Sequence, residues 1–236
     1  MNLLTMEHVT KAYTDRVLLD DVAFGINDNE KIGVIGINGM GKSTLLKIVA
    51  GVEEYDSGKL SMGNTVKICY LPQTPVFGEE ETVLQAAVRG IISDTDQWTM
   101  EAEAKSMLNQ LGFSDYEEKM SHMSGGQKKR VALVNALLTP ADILVLDEPT
   151  NHLDMFSKEV LESALNRYEG TVIYISHDRY FINKTAEKIL ELTPDGVILY
   201  NGNYNYYLEK KAERARNEAE KAAQHPEKSV AAAQPV

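Results

Sequence analysis

Gly36-Ile-Asn-Gly-Met-Gly-Lys-Ser-Thr44 is the stretch that decides the fold. It continues an apolar, β-branched run over Lys31–Ile37, which suits a buried strand. A helix is predicted after it, from about Lys42 to Ala50. The glycines let backbone N–H groups wrap phosphate groups, and the N-terminus of a helix favours an anion. The stretch therefore predicts a loop that binds nucleotide phosphates between a strand and a helix.

The residue types of this loop suggest a complex of ATP with Mg²⁺. Lys42 is expected to reach the β- and γ-phosphates, and the Ser43 hydroxyl to bind the metal ion. The alternative is a chance glycine turn, which would match the pattern in a chain of this length with a probability on the order of 1%. The loop residues predicted to contact the nucleotide are Gly36, Asn38, Gly39, Gly41, Lys42, Ser43 and Thr44.

Outside this loop, apolar strands alternate with helical segments. Further strands are predicted at Leu3–Val9, Ala23–Ile26, Val66–Leu71, Ile143–Leu146 and Val172–Ile175. Helices are predicted at Thr82–Val88, Thr99–Leu111, Gly126–Leu138, Met155–Tyr168 and Leu208–Gln224. The alternation predicts a parallel sheet with right-handed crossovers and with ligands at the carboxyl ends of its strands. The first two strands, with a turn near Thr14-Asp15, predict an antiparallel N-terminal layer.

The composition limits the classes of protein and partner. The 236 residues carry a net charge of −11, which argues against a free-standing nucleic-acid binder, because neutralising phosphates requires clustered Lys and Arg. The single cysteine, Cys69, allows no internal disulfide and fits a reducing compartment. The N-terminus lacks a secretory signal, and no apolar stretch approaches the ~20 residues of a membrane helix. We therefore expect a cytoplasmic protein without membrane insertion.

Two adjacent carboxylates follow the apolar strand predicted at Ile143–Leu146. A buried strand does not tolerate Asp147 and Glu148 side by side unless they meet a cation or water at its edge. Asp147 is expected to hold Mg²⁺ through water, and Glu148 to orient and deprotonate the water that attacks ATP. The alternative is an acidic exit from strand to loop, which the phosphate-binding loop elsewhere in the chain makes less favoured.

Two further stretches resemble motifs of ABC-type ATPases. Met-Ser-Gly-Gly-Gln (123–127) is similar to their signature motif, and Ile-Leu-Val-Leu-Asp-Glu-Pro-Thr-Asn-His-Leu-Asp (143–154) to their Walker B strand and D-loop. The resemblance implies an α/β fold: a P-loop NTPase core with a mostly parallel sheet, an N-terminal antiparallel β-layer and a small helical subdomain that carries the signature motif. It also implies an ATPase that uses ATP and Mg²⁺ and is active as a dimer.

Three more residues gain roles from this resemblance. Gln73 matches the Q-loop glutamine that senses Mg²⁺ and the γ-phosphate, His177 the switch histidine, and Tyr13 the aromatic residue that stacks on adenine. Without the resemblance, they would be a surface glutamine, a structural hydrogen-bonding histidine and a strand-edge tyrosine. The expected catalytic residues are Glu148, His177 and Gln73, and the expected metal-binding residues are Ser43, Gln73 and Asp147.

In this family, the signature motif caps the ATP that a partner domain holds across a head-to-tail dimer. The predicted start of a helix near Ser124 provides N–H groups for such an anion site. The residues expected to act in trans are Ser124, Gly125, Gly126, Gln127 and Asp154. Met123 replaces the more usual Leu, which is a volume-conserving change. For the following residues 128–130, Lys-Lys-Arg, a solvated helix face and a functional role are equally favoured.

Three stretches resemble the ABC-F branch, whose members pair two ATPase domains and act on the ribosome. They are Glu-Pro-Thr-Asn-His-Leu-Asp (148–154), Ser-His-Asp-Arg-Tyr-Phe (176–181) and Tyr-Asn-Gly-Asn-Tyr-Asn-Tyr-Tyr-Leu-Glu (200–209). The resemblance covers nearly all of residues 1–222, and it implies a translation or antibiotic-resistance factor. Its implied partners are a second ATPase domain, as a second copy or a missing second half, and the ribosome in the full-length context.

The chain departs from that branch in its domain organisation. Gln73 and Ser124 are 51 positions apart, which accommodates the ordinary helical subdomain but not the long helical arm of the branch. We expect an ATPase domain over 1–204 with a helical subdomain inserted at about 79–138, the start of a helical linker over 205–224 and a disordered tail over 225–236. Because the arm and linker are the basic, ribosome-facing parts in the family, this piece alone is not expected to bind nucleic acid directly. It would be an excised or engineered domain, or a natural member without the arm.

Two other functions stay open from the sequence. The chain is compatible with the ATP-binding subunit of an ABC membrane transporter, which would dock a membrane partner beside the Q-loop. It is also compatible with a nucleotide-gated clamp that does not hydrolyse ATP. The pair Asn151-His152 favours the ABC-F branch over the transporter, and the intact Glu148 and His177 argue against the clamp.

Overall fold

The computed structural model describes residues 1–14, 16–91, 97–194 and 196–224. Its strands are β1 (Asn2–Tyr13), β2 (Arg16–Asn27), β3 (Lys31–Gly36), β4 (Ser57–Met62), β5 (Ile68–Leu71), β6 (Ile143–Asp147), β7 (Thr171–Ile175), β8 (Lys188–Thr193) and β9 (Gly196–Tyr200). Its helices are α1 (Lys42–Val49), α2 (Val83–Ala87), α3 (Gln97–Gln110), α4 (Gly125–Leu138), α5 (Met155–Arg167), α6 (Arg179–Thr185) and α7 (Tyr204–Gln224). Residue 15 of the predicted turn and the predicted disordered tail at 225–236 lie outside the described residues.

An antiparallel layer of three strands, in the order β2-β1-β4, contains the start of the chain. The predicted antiparallel pair of N-terminal strands is confirmed, and both strands are longer than predicted, meeting with Tyr13 opposite Arg16. β4 pairs with the other edge of β1, with Leu4 opposite Met62. The sequence does not predict this third strand, because Ser-Gly-Lys-Leu-Ser-Met contains no apolar run.

A six-stranded sheet, in the order β5-β6-β7-β3-β8-β9, forms the centre of the domain. The first five of these strands run parallel, and β9 runs antiparallel to β8. β6 and β7 are buried along their whole lengths, as expected for strands that are covered on both faces. The mostly parallel sheet of the predicted core is therefore confirmed.

The parallel strands bring the predicted motifs to one edge of this sheet. β3 leads into the phosphate-binding loop and α1, while β5, β6 and β7 lead towards Gln73, Glu148 and His177. α1 is anchored between the sheet and the antiparallel layer by Leu45 and Leu46, which are fully buried in a core shared by both. The strand order thus determines which segments can meet at the site.

Three helices form a separate hydrophobic cluster outside the sheet. α2, α3 and α4 pack together through residues that include Val83, Leu108 and Val131. Thr82 caps α2, since its hydroxyl accepts a hydrogen bond from the Gln85 N–H and the Gln85 side chain accepts one from the Thr82 N–H. The three helices predicted here are confirmed to within two residues at each end.

The C-terminal helix α7 begins at Tyr204, four residues before its predicted start, and contacts the edge of the sheet. Glu191 on β8 is buried, accepts hydrogen bonds from the hydroxyls of Tyr200 and Tyr207, and pairs with Lys211 on α7.

The sequence does not predict β8, β9 or α6. Neither α7 nor any other helix within the described ranges is both long and apolar enough to cross a membrane.

Candidate nucleotide-binding site

The phosphate-binding loop turns between β3 and α1 where two glycines are required. Gly41 precedes α1 with φ of 91°, in the left-handed region that favours glycine. A Cβ atom on Gly36 would lie 2.7 Å from the carbonyl oxygen of Leu192 on β8, which is too close for any other residue. α1 begins immediately afterwards at Lys42, so the unpaired N–H groups of its first turn belong to the loop. The predicted strand, loop and helix are confirmed.

The Lys42 side chain lies against this loop. Its ammonium group donates hydrogen bonds to the carbonyl oxygens of Gly36 at 2.9 Å and Ile37 at 3.1 Å. Burial lowers the pKa of Lys42, and the nearby carboxylates of Glu148 and Asp147 oppose that shift. The lysine therefore places a cation at the base of the loop, where phosphate groups would lie.

An open cleft of about 360 Å³ lies over the loop. It joins the phosphate-binding groups to two of the predicted catalytic side chains, which arrive from the ends of β6 and β7. Its lining residues are Leu18, Asn38, Gly39, Gly41, Lys42, Ser43, Thr44, Glu148 and His177. Most of the loop residues predicted to contact a nucleotide thus face one cavity.

Ser43 and Asp147 form the oxygen pair predicted to hold Mg²⁺. The Ser43 hydroxyl donates a hydrogen bond to Asp147 Oδ1 at 3.0 Å, and Asp147 is 2% exposed at the end of β6. Burial raises the pKa of Asp147, whereas the bond from Ser43 lowers it. Mg²⁺ usually takes one or two protein carboxylates and completes its shell with water and phosphate oxygens. An adjacent hydroxyl and carboxylate beside a phosphate-binding loop fit this ion.

The Glu148 carboxylate is the meeting point of the predicted catalytic residues. Gln73 Nε2 donates a hydrogen bond to its Oε2 at 2.8 Å, and His177 Nε2 lies 3.2 Å from its Oε1. An ionised carboxylate only accepts hydrogen bonds, so His177 donates through Nε2. Asn151 Nδ2 also bonds to Oε2, a contact that the sequence does not predict. Gln73, which is also predicted near Mg²⁺, contacts the Glu148 carboxylate in this arrangement.

Lys129 belongs to this site, although the sequence leaves its role open. It is 2% exposed on α4, so a solvated helix face is the wrong interpretation for this residue. Its ammonium group donates to the carbonyl oxygens of Pro72 at 2.8 Å, Gln73 at 3.1 Å and Asp147 at 3.0 Å. Burial lowers the pKa of Lys129 to about 8, although the negative charges of Asp147 and Glu148 oppose this shift.

The signature segment forms the exposed start of α4. Ser124 caps this helix, since its Oγ accepts a hydrogen bond from the Gln127 N–H at 3.3 Å and Gln127 Oε1 accepts one from the Ser124 N–H at 3.0 Å. Ser124 and Gly125 are exposed, and a Cβ atom on Gly125 would meet nothing within 4 Å. None of the segment 123–127 is among the described residues that line the cleft over the phosphate-binding loop, called the phosphate cleft below. Within one chain, the start of α4 is therefore not part of the phosphate cleft.

The end of the stretch 143–154, which resembles a D-loop, passes next to the signature segment at 123–127. A Cβ atom on Gly126 would lie 3.1 Å from the carbonyl oxygen of His152. Asp154 caps α5 by accepting a hydrogen bond from the Ser157 N–H at 2.7 Å, and its hydrogen bonds with Ser157 hold the pKa of Asp154 below its usual value. The two segments predicted to act in trans are thus neighbours in the fold.

Tyr13 lies at the hairpin between β1 and β2. It is 45% exposed, and it is not among the described residues that line the phosphate cleft. Its hairpin neighbour Arg16 donates a hydrogen bond to the carbonyl oxygen of Gly39 at 3.0 Å, a contact that the sequence does not predict. This bond places the hairpin beside the phosphate-binding loop, and adenine stacking by Tyr13 stays a prediction.

The site and the strand order together define a class of protein. The site contains a phosphate-binding loop, an adjacent hydroxyl and carboxylate that fit Mg²⁺, and a glutamate bonded to a glutamine and a histidine. These groups are suited to binding ATP with Mg²⁺ and activating water. The class is an α/β P-loop ATPase domain with an antiparallel layer and a helical cluster.

The chain belongs to the ABC transporter family, which matches its residues 19–151, and is an ATPase domain of that family. It is 37% identical to an uncharacterized ABC transporter ATP-binding protein, YfmR, of Bacillus subtilis (strain 168), over 91% of this chain and 40% of the relative. It is 38% identical to ABC transporter F family member 2 of Arabidopsis thaliana, over 97% of this chain and 34% of the relative. It is 35% identical to the energy-dependent translational throttle protein EttA of Mycobacterium tuberculosis (strain H37Rv), over 94% of this chain and 46% of the relative. The chain thus spans less than half the length of these relatives.

Solved structures support the same fold. The ATP-binding subunit of an ABC transporter matches with a TM-score of 0.74 and 25% identity, over 84% of this chain and 90% of that one. A dimeric ATP-binding cassette in a post-hydrolysis state, bound to ADP and Pi, matches with a TM-score of 0.73 and 23% identity, over 84% of this chain and 98% of that one. The second likeness concerns the fold alone. The predicted fold class is confirmed.

Proposed function

We propose that this chain binds and hydrolyses ATP with Mg²⁺ as one half of a head-to-tail pair of ATPase domains. The single observation that carries the hydrolytic part is the bonding of Gln73 and His177 to Glu148 at the edge of the phosphate cleft. A carboxylate fixed in this way can hold a water molecule in line with the γ-phosphate. The proposed unit is an ATPase domain over 1–204 with a helical subdomain at about 79–138, followed by the start of a linker over 205–224.

Binding of ATP follows from the phosphate-binding loop. The phosphates would lie against the N–H groups of residues 36–44, and the Lys42 ammonium would turn from the loop carbonyls to the β- and γ-phosphates. Ser43 and Asp147 would hold Mg²⁺, which supplies positive charge to the phosphates when it is bound. Tyr13 would stack on adenine, since it lies in the hairpin that Arg16 joins to the loop by its hydrogen bond to the Gly39 carbonyl oxygen.

Hydrolysis follows from the Glu148 network. The carboxylate accepts a proton from the attacking water while the water oxygen bonds to the γ-phosphorus and the bond to the leaving ADP oxygen breaks. Gln73 and His177 keep the carboxylate in one orientation, since each is bonded to a different oxygen of it. Lys42 offsets the negative charge that develops on the leaving group.

The second half of each site would come from a partner domain. The N–H groups of Ser124 and Gln127 are used in the helix cap, so the exposed start of α4 offers the N–H groups of Gly125 and Gly126. Neither glycine is among the described residues that line the phosphate cleft of its own chain. Gly126, Gln127 and Asp154 would complete this surface and contact the partner's ATP. The partner is a second copy or a second half of a longer chain.

We assign the chain to an ABC-F translation or antibiotic-resistance factor that works on the ribosome in the cytoplasm. The ABC-F resemblance of residues 148–154, 176–181 and 200–209 supports this assignment, as do relatives named ABC transporter F family member 2 and translational throttle protein EttA. The competing assignment is the ATP-binding subunit of a membrane transporter, the description of one similar structure.

The tagged protein, expressed from its own complete reading frame, is expected to co-purify with ribosomes. Quantitative mass spectrometry of the purified material would measure this, with an unrelated tagged cytoplasmic protein as the control. Recovery of a membrane permease in place of ribosomal proteins would reject the ABC-F assignment in favour of the transporter subunit.

Phosphate release from ATP is expected to require Mg²⁺ and to rise more than linearly with protein concentration. Both follow if the metal is held by Ser43 and Asp147 and if each site needs a partner's signature segment. A coupled phosphate assay over a concentration series, with and without EDTA, measures both effects. Turnover that is unchanged by EDTA would contradict the metal assignment, and turnover per chain that is independent of concentration would contradict pairing between copies.

A further inference from the structure

Lys129 has a buried ammonium group that bonds to the backbone next to Gln73 and to the backbone that precedes Glu148. Its donors reach the carbonyl oxygens of Pro72, Gln73 and Asp147, all within 3.1 Å. An ammonium group has three N–H donors, so these three bonds satisfy it completely. We propose that Lys129 is a positioning residue for ATP hydrolysis, which fixes the backbone that aims Gln73 and Glu148. The proposal rests on the proposed hydrolytic function of that pair.

Two of the bonds hold the peptide groups on both sides of Gln73. The Pro72 carbonyl belongs to the peptide group that precedes Gln73, and the Gln73 carbonyl belongs to the one that follows it. Because both groups are bonded to Nζ of Lys129, the Cα–Cβ bond of Gln73 has little freedom to rotate away from Glu148. The Gln73 amide consequently stays 2.8 Å from Glu148 Oε2.

The third bond fixes the peptide group that enters Glu148. The Asp147 carbonyl lies in that group, and Glu148 follows it with φ of 50°. This left-handed conformation is uncommon for a residue other than glycine and persists only where its surroundings impose it. The bond from Lys129 is such a restraint, and the resulting turn directs the Glu148 carboxylate towards His177.

Lys129 also connects the helix start that would contact the partner's ATP with the Gln73 and Glu148 groups that would act on the chain's own ATP. It lies on α4, the helix whose start at Ser124 would contact the partner's ATP. Movement of that helix against a partner would move the Gln73 and Glu148 backbone through the same ammonium group. A lysine that merely fills a polar gap would have no effect on turnover beyond its effect on stability.

Lys31 provides a matched control at a distance from the catalytic network. It is also buried, and its ammonium group donates to the carbonyl oxygens of Tyr168 at 2.7 Å and Gly170 at 2.6 Å. It begins β3, whereas the phosphate-binding loop follows the other end of that strand. Lys31→Met therefore removes the same chemistry at the edge of the sheet opposite the catalytic network.

The test compares Lys129→Met with Lys31→Met in the full chain. Lys129→Met is expected to lower kcat by about tenfold or more while the Kd for ATP changes by less than about threefold, because a small misplacement of catalytic groups affects turnover most. Lys31→Met is expected to lower the melting temperature without that loss of kcat at a temperature where both variants are folded. If Lys129→Met does not fold, Lys129→Gln, which keeps two uncharged N–H donors, takes its place.

Hydrogen exchange gives a readout that does not depend on hydrolysis. Lys129→Met is expected to accelerate amide exchange in segments 73–76 and 147–152, and Lys31→Met only in segment 168–171. Unchanged exchange in the first two segments, or a loss of kcat no larger than that of Lys31→Met, would overturn the positioning role. A parent chain without ATP turnover would contradict the proposed function, while the exchange data would still decide whether Lys129 holds this backbone.

Discussion

Replacing Glu148 by Gln is expected to lower the turnover of ATP by about 100-fold or more while ATP binding is retained, because a general base typically contributes 10²–10⁴ in rate. The substitution keeps the shape of the side chain and its place in the network. Its oxygen can still accept a hydrogen bond from His177, and the side-chain amides of Gln73 and Asn151 can rotate to accept bonds from the two N–H groups of the new amide. What disappears is the group that accepts the proton of the attacking water.

The same variant is expected to accumulate as an ATP-bound pair. ATP held between the phosphate-binding loop of one copy and the exposed Ser124 segment of another would keep the two together until it is hydrolysed. Gel filtration of Glu148→Gln with Mg-ATP measures the pair, and Glu169→Gln, an exposed change before β7, is the control. Elution of Glu148→Gln only as a monomer would reject pairing of the isolated chain, and parent-like turnover would remove Glu148 from its catalytic role.

The elements that the sequence predicts are those with uninterrupted apolar runs. β6 and β7 contain Ile-Leu-Val-Leu and Val-Ile-Tyr-Ile, and runs of this length and composition are typical of buried strands. β8 escapes prediction because Glu191 interrupts its run, and the two tyrosines and the lysine that compensate this charge lie 9 to 20 residues further along the chain. α6 spans seven residues, too few for a helical period to show, although Asp178 caps it.

The site divides in the same way. Residues in spaced motifs, such as Glu148 and His177, can be found from the sequence because their neighbours identify them. Lys129 and Arg16 cannot, since their partners are backbone carbonyl groups, which leave no side-chain pattern. One signal does exist for Lys129: Ala132 and Leu133, three and four positions later on α4, are buried on the same helix face. A lysine on an apolar face indicates buried hydrogen-bond partners.

Replacing Lys42 by Ala is expected to weaken ATP binding by about 100-fold or more. A hydrogen bond to a charged group contributes about 1.5–3 kcal/mol, and Lys42 is expected to contact two phosphate groups. A loss of about 3 kcal/mol corresponds to a factor of roughly 100 in the dissociation constant. The effect should therefore appear in affinity, in contrast to Glu148→Gln, whose effect should appear in turnover.

Isothermal calorimetry with ATP and Mg²⁺ measures this loss, and Lys59→Ala, an exposed change on β4, is the control for removal of one positive charge. In the described structure the Lys42 ammonium is bonded to the carbonyl oxygens of Gly36 and Ile37, so the substitution also frees two acceptors of the loop. Gly36 and Ile37 line a neighbouring cavity of about 440 Å³ that also contains Lys42, so these oxygens can bond to water and the fold should persist. An unchanged affinity with an intact fold would mean that the loop does not bind phosphate through Lys42. A comparable loss of ATP affinity in Lys59→Ala would mean that the effect comes from the change in net charge.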